Sequence, residues 1–64
     1  MLQLLKINDE EVGFCDKYSQ NQDKKTWIFN IVDINFNEAP LEVPFSMIKN
    51  FDGGDGVINL LLKF

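Results

Sequence analysis

The sequence contains no histidine, no arginine and a single cysteine, Cys15. Without histidine, catalysis by a Ser-His-Asp or Cys-His arrangement or by a histidine base is excluded. One cysteine and no histidine also cannot supply the ligands of an ordinary structural zinc site. Carboxylates remain, but a chain of 64 residues has little room for a catalytic cleft built around two of them. We therefore expect no enzymatic activity, no catalytic residue, no cofactor and no metal.

Long hydrophobic runs and signal-peptide features are also missing. The first residues lack the basic and apolar regions of a secretory signal, and the leucine run at residues 60–62 is far shorter than the ~20 residues that cross a bilayer. Because Cys15 has no second cysteine to pair with, an intramolecular disulfide is excluded. We interpret Cys15 as a small half-buried hydrophobic residue, with a reactive or intersubunit thiol as the alternative. These features predict a cytoplasmic protein without a membrane partner.

Positive charge is scarce. Six lysines stand against ten acidic residues, which gives a net charge of −4. A surface that binds nucleic acid normally displays a basic stripe, so this balance disfavours nucleic acid as a partner. The abundance of Asn, Lys, Ile and Phe without arginine is typical of AT-rich coding sequences. It indicates a low-GC bacterium or one of its phages.

The short chain predicts one small domain spanning residues 1–64. A domain of this size buries only about 60% of the surface that its unfolded chain exposes. Dense apolar packing or self-association must compensate, and six phenylalanines and one tryptophan supply packing material. We therefore expect a homo-oligomer, with a dimer favoured.

Strand patterns occupy residues 2–7, 12–15, 26–36 and 57–64. Residues 8–11 predict a hairpin turn, and residues 19–25, which hold no apolar side chain, predict a mobile exposed loop. Within residues 26–36 the apolar alternation changes phase, with one face followed by the other: Trp27, Phe29 and Ile31, then Val32, Ile34 and Phe36. That change predicts a bulge near Ile31 or a long strand that serves two different buried surfaces.

The segment after the prolines predicts a short helix. Residues 38–44 carry both prolines and should cross over in extended form, with Pro44 placed to start a helix. Phe45, Ile48 and Phe51 then recur at the i, i+3 and i+6 positions of one helical face. Residues 52–56 hold three glycines and predict the turn from this helix into the final strand. They do not fit a calcium loop, because glycines stand at two of the positions that should supply ligands.

Together these elements predict an α+β fold. The expected architecture is a small, mostly antiparallel sheet of about four strands in the order β-β-β-α-β, with one short helix packed on it. The last strand is the most apolar, so we expect it inside the sheet or in a subunit interface.

The leading functional hypothesis is a non-enzymatic protein-protein interaction module: a phage- or prophage-encoded modulator of a host protein that acts as a homo-oligomer. Candidate contact residues combine large apolar side chains with nearby acids: Trp27, Phe29, Phe45, Met47, Glu38 and Glu42. The alternative is a nucleic-acid-linked protein, either a single-strand binder that uses Trp27 and Phe29 or an acidic DNA mimic. For the apolar residues, membership of the core is the competing interpretation.

Overall fold

The structure is a computed structural model that describes residues 2–63. These residues form one six-stranded sheet with the spatial order β4-β3-β2-β1-β6-β5. The strands are β1 (Gln3–Ile7), β2 (Glu10–Asn21), β3 (Thr26–Val32), β4 (Glu38–Pro44), β5 (Ile48–Gly54) and β6 (Val57–Leu62), with a short 3-10 turn at Phe45–Met47. The neighbours β1 and β6 run parallel, and the other neighbouring pairs are antiparallel. No helix within residues 2–63 is long and apolar enough to cross a membrane.

The predicted α+β fold with four strands and a helix is wrong, because the described chain is a mixed sheet of six strands. The helix predicted at residues 45–51 is replaced by the 3-10 turn and by β5. A bulge in β5 explains the error: Ile48 lies opposite Leu62, whereas Phe51 lies opposite Leu60. The bulge puts Ile48 and Phe51, three positions apart, on one face of a strand, so their spacing resembles that of a helix.

The proline-containing crossover predicted at residues 38–44 is instead the edge strand β4. The Phe45 amide, just past the strand, donates to the Lys25 carbonyl at 2.9 Å on the β3 side. Because amide directions alternate along a strand, Pro40 and Pro44 occupy positions whose N–H would point away from β3. The missing donors make this edge a poor template for adding another strand.

Two tight hairpin turns are built from residues with positive φ. Asn8 and Asp9, at φ 51° and 68°, join β1 to β2, and Asp55 and Gly56, at φ 50° and 81°, join β5 to β6. Positive φ at both central residues is the type I′ geometry that matches the twist of paired strands. Residues 52–56 are therefore not a helix-to-strand turn, because residues 52–54 end β5 and the turn itself has two residues.

The exposed loop predicted at residues 19–25 is shorter than expected. Residues 19–21 continue β2 and pair with β3, which leaves residues 22–25 as the turn. The Asn21 side-chain oxygen accepts hydrogen bonds from the amides of Asp23 and Lys24 at 3.1 and 3.2 Å. The polar composition of residues 19–21 concealed a strand whose stability comes from backbone pairing rather than from apolar burial.

The sheet curls around one apolar face, which we call the concave face. Its buried residues come from five strands: Leu5, Cys15, Phe29, Val43, Ile58 and Leu60. The ring of Phe51 on the β5 edge lies 4.9 Å from that of Trp27 on β3, although β6, β1 and β2 intervene in the sheet. The predicted interior position of the last strand is confirmed for β6, which lies between β1 and β5. Phe64, the end of that predicted strand, lies outside the described residues.

Candidate interaction surface

The opposite, convex face carries a continuous row of apolar side chains. Leu4 lies opposite Phe14 on one side and Val57 on the other, and Phe14 lies opposite Val32. Residues opposite one another share a face of the sheet, so these four side chains, which we call the convex row, lie side by side on four successive strands. Phe14 is 49% exposed and Val57 is 36% exposed. Leu4 is half-buried and Val32 is only 6% exposed, so Phe14 and Val57 contribute most of the apolar surface that the row presents to solvent.

Polar residues border the convex row along both sides. On one side, Lys6 of β1 lies opposite Glu11 of β2 and Asn59 of β6. On the other side, the Asn30 amide nitrogen donates hydrogen bonds to the carboxylates of Asp16 and Glu38 at 2.8 and 2.6 Å. An apolar strip with a polar rim is the usual composition of a protein interface.

The connection from β3 to β4, residues 33–37, projects two large apolar side chains into solvent. Ile34 is 93% exposed and Phe36 is 76% exposed, the two highest values for large apolar side chains in residues 2–63. The prediction that residues 26–36 form one strand is wrong at this end, because β3 ends at Val32. The apparent change of phase is thus the start of a turn. We call residues 33–37 the anchor loop.

The carboxylate of Asp33 organises the anchor loop. It accepts hydrogen bonds from the backbone amides of Asn35 and Asn37 at 2.8 and 2.9 Å, and from the Asn37 side-chain amide at 3.1 Å. Donors aimed at the charged form favour it, so these bonds, led by the Asn37 amide, lower the pKa of Asp33. Two backbone bonds of 3.0 Å, from Phe36 N to Asp33 O and from Asp33 N to Asn37 O, close the turn.

Phe36 has a backbone conformation that is unusual for a bulky residue. Its φ of 61° lies in the left-handed region, which costs a residue with a side chain roughly 1–2 kcal/mol. The ring is mostly exposed, so burial does not offset this cost. Phe36 instead borders a shallow hollow of about 340 Å³ together with Leu2, Val32, Asp16 and Glu38. A strained residue held by hydrogen bonds at the edge of an apolar hollow points to a contact made by the loop.

The aromatic candidates Trp27 and Phe29 lie on the concave face. Phe29 is fully buried, and the half-buried Trp27 is stacked on Phe51 with 21° between the ring planes. Tyr18 completes the group, with its ring centroid 5.8 Å from that of Trp27. Phe29 is thus a core residue in the described structure, and the stacking on Phe51 occupies one face of Trp27.

The remaining candidates lie on β4 and on the 3-10 turn that follows it. Phe45 is half-buried beside Trp27, and Met47 in the same 3-10 turn is 38% exposed. Glu38 and Glu42 are exposed on β4, and only Glu38 lies beside the convex hollow. The structure therefore brings Trp27 close to Phe45 and places Glu38 beside the anchor loop, but it does not unite the six candidates in one site.

Sequence reasoning missed the members of the convex row and the anchor loop. Residues 12–15 were predicted to form a strand, but a bulge between β1 and β2 leaves Val12 without a partner and places Phe14 on the convex side. A turn at residues 33–37 could have been predicted from Asp33, Asn35 and Asn37, because Asp and Asn side chains commonly accept hydrogen bonds from the backbone in turns. Their alternation with Ile34 and Phe36 imitated a strand.

Cys15 is part of the core and is 1% exposed, rather than half-buried as expected. Its Sγ–H donates to the carbonyl of Lys17 at 3.1 Å, and burial raises the pKa of the thiol. Low thiolate content and lack of access both suppress thiol chemistry at this position. Within residues 2–63, no three acidic, cysteine or histidine side chains converge in a group that could hold a metal ion.

The sequence matches no protein-family model or curated protein, and the fold matches no solved structure. The geometry of the convex face and of the anchor loop therefore provides the basis for a functional proposal.

Proposed function

We propose that this chain is a non-enzymatic protein-protein interaction module that binds a partner protein through the anchor loop. The observation that carries the proposal is the combination of two large, solvent-exposed apolar side chains, Ile34 and Phe36, with a backbone held in place by Asp33. A binding loop that is ordered before binding loses less conformational entropy when the complex forms. Ile34 and Phe36 are therefore suited to act as anchors at the centre of an interface.

The surroundings of the loop indicate the chemistry of the partner. Asp16 and Glu38 border the hollow next to Phe36, Asp33 lies within the loop, and the chain has a net charge of −4. Electrostatic complementarity favours a partner whose apolar pocket is edged by lysine or arginine side chains. Such a module acts by covering a surface of its target, in keeping with a modulator of a host protein. A cytoplasmic location and a phage or prophage origin remain predictions from the sequence.

The experiment compares the wild-type chain with the double variant Ile34→Ser/Phe36→Gly. Partners captured by the wild-type chain are purified, and their affinity for both chains is measured by titration calorimetry. Because two central anchors are removed, we expect binding to weaken about 100-fold or more. A matched double variant in the other long turn, Gln22→Ser/Lys24→Gly, should bind as the wild type does. Equal affinity of the anchor-loop variant and the wild type would contradict the proposal.

The nucleic-acid alternative lacks comparable support. Phe29 is fully buried, and one face of Trp27 is covered by Phe51, so the two rings do not form an exposed stacking platform. The carboxylates of Asp16 and Glu38 converge on the amide of Asn30 rather than spacing themselves along the surface as phosphates would.

A further inference from the structure

We infer that the convex row is a self-complementary interface that binds a second copy of this chain around a two-fold axis. The convex row borders the anchor loop through Val32, but the inference uses other exposed side chains and does not depend on the function proposed for that loop. It rests on the order of side-chain sizes along the row and on the charges beside the row.

The convex row has a valine at each end and two larger apolar side chains in the middle. Across β3, β2, β1 and β6 the order is Val32, Phe14, Leu4 and Val57, with the two larger side chains in the middle. A two-fold axis parallel to the strands, between β1 and β2, places Phe14 over the partner's Leu4. The same rotation places Val57 across from the partner's Val32, but Val32 is only 6% exposed, so the contact is centred on Phe14 and Leu4. Residues that exchange roles in this way define an isologous interface.

The charges beside the row obey the same symmetry. Lys6 on β1 and Glu11 on β2 lie directly opposite one another and flank the position of the proposed axis. The rotation therefore brings Lys6 over the partner's Glu11 and Glu11 over the partner's Lys6. Both pairs are attractive, so the polar margin favours a second copy in this orientation. This charge complementarity identifies the occupant of the face.

The edge strand β4 offers a less suitable route to self-association. Pro40 and Pro44 remove outward donors from this strand, so strand pairing between two copies would lose hydrogen bonds there.

A contact between two curved, convex faces is centred on Phe14 and Leu4 and is therefore small. Small interfaces are typical of transient association, so we expect a reversible dimer with a dissociation constant on the order of micromolar.

Sedimentation velocity over a concentration series tests the interface. The wild-type chain should shift reversibly from monomer to dimer as the concentration rises, and Phe14→Asp should remain a monomer throughout. Because Phe14 is 49% exposed, the aspartate can be hydrated and the fold retained, which circular dichroism checks. The anchor-loop variant Ile34→Ser/Phe36→Gly should dimerise as the wild type does. Loss of the loop function and loss of dimerisation are therefore separate results.

Charge exchange tests the orientation. Lys6→Glu and Glu11→Lys should each weaken the homodimer about tenfold, because both intersubunit pairs become repulsive. Mixing these two variants should restore association near the wild-type level, because each heterodimer contains two attractive pairs. The repulsion between positions 6 and 11 within each copy remains in the mixture, so restoration reports contacts between copies. Native mass spectrometry identifies the heterodimer.

Controls make the charge experiment decisive. Lys49→Glu reverses an exposed charge in the β5 bulge, away from the convex row, and should leave dimerisation unchanged. If a single variant fails to fold, the double variant Lys6→Glu/Glu11→Lys, which restores opposite charges within and between copies, should still dimerise. A wild-type chain that stays monomeric at millimolar concentration would overturn the inference. So would folded charge variants that do not associate when mixed.

Discussion

The concave and convex faces of the sheet carry similar apolar residues that differ in their exposure to solvent. On the concave face, Phe29 and Leu60 have no exposed surface, and the rings of Phe29 and Phe51 lie 5.9 Å apart. On the convex face, Phe14 is 49% exposed, and Phe36 at its margin is 76% exposed. The difference shows that residue type alone does not separate a buried core residue from an exposed apolar one. Register and curvature decide which phenylalanine stabilises the fold and which remains available to a partner.

The largest expected contrast is in stability. Phe29→Ala removes a fully buried ring and should lower the free energy of unfolding by about 3–5 kcal/mol. Phe14→Ala, measured at a concentration where the chain is monomeric, should cost less than about 1 kcal/mol because its site is open to solvent. Urea denaturation of both variants, followed by tryptophan fluorescence, measures the difference. Similar losses for the two variants would mean that the convex row belongs to the core.

Thiol reactivity gives a second contrast between the faces. Cys15 is shielded on the concave side, and its raised pKa reduces the thiolate fraction at neutral pH. We expect Cys15 to react with a disulfide reagent only when the chain opens, so its modification should be slow and should accelerate with urea. A cysteine introduced on the convex row, in the double variant Cys15→Ala/Val57→Cys, should react at least about 100-fold faster. Rapid labelling of the wild-type chain would show that the concave face is accessible.

Sequence patterns located most of the chain's strands but misjudged where they end and how they are arranged. The apolar character of β1, β3 and β6 was visible because burial on the concave face requires alternating or continuous apolar residues. Two of the three bulges were not visible: one gave Ile48 and Phe51 a helix-like spacing, and another moved Val12 out of register. The third lies in β2 between Cys15 and Lys17, opposite Ile31, where the change of apolar phase had indicated a bulge. A bulge depends on pairing between strands, so a local pattern rarely specifies which of the two paired strands carries it.

The candidate surfaces also depend on strand pairing, and this dependence determines which of their residues can be predicted from the sequence. We predicted Trp27 and Phe29 as contact residues because they are large and apolar, yet these properties are also typical of core residues. Leu4, Phe14 and Val57 form one row only after three strands are paired in register. The anchor loop is more local, because Asp33 bonds to residues two and four positions away. The turn at residues 33–37 could therefore have been predicted from the sequence.

The smallest expected effect concerns the pH dependence of the anchor loop. Because hydrogen bonds lower the pKa of Asp33 in the folded state, its carboxylate supports the loop fully above the ordinary aspartate value of about 3.9. That support should be lost as the pH falls through the lower folded-state value, when protonation weakens the carboxylate as an acceptor. The amide chemical shift of Asn37, followed by NMR, should titrate with a midpoint below about 3.9.

The variant Asp33→Asn separates this local effect from general acid unfolding. An asparagine at position 33 does not titrate, so the Asn37 amide should lose its transition, while signals from the concave core, such as that of Leu60, should respond as in the wild type. A midpoint for Asn37 at or above the ordinary aspartate value would show that the hydrogen bonds from Asn35 and Asn37 do not persist in solution. The loop would then not be preorganised by Asp33, and the comparison between a buried core and an ordered, exposed loop would hold only for the core.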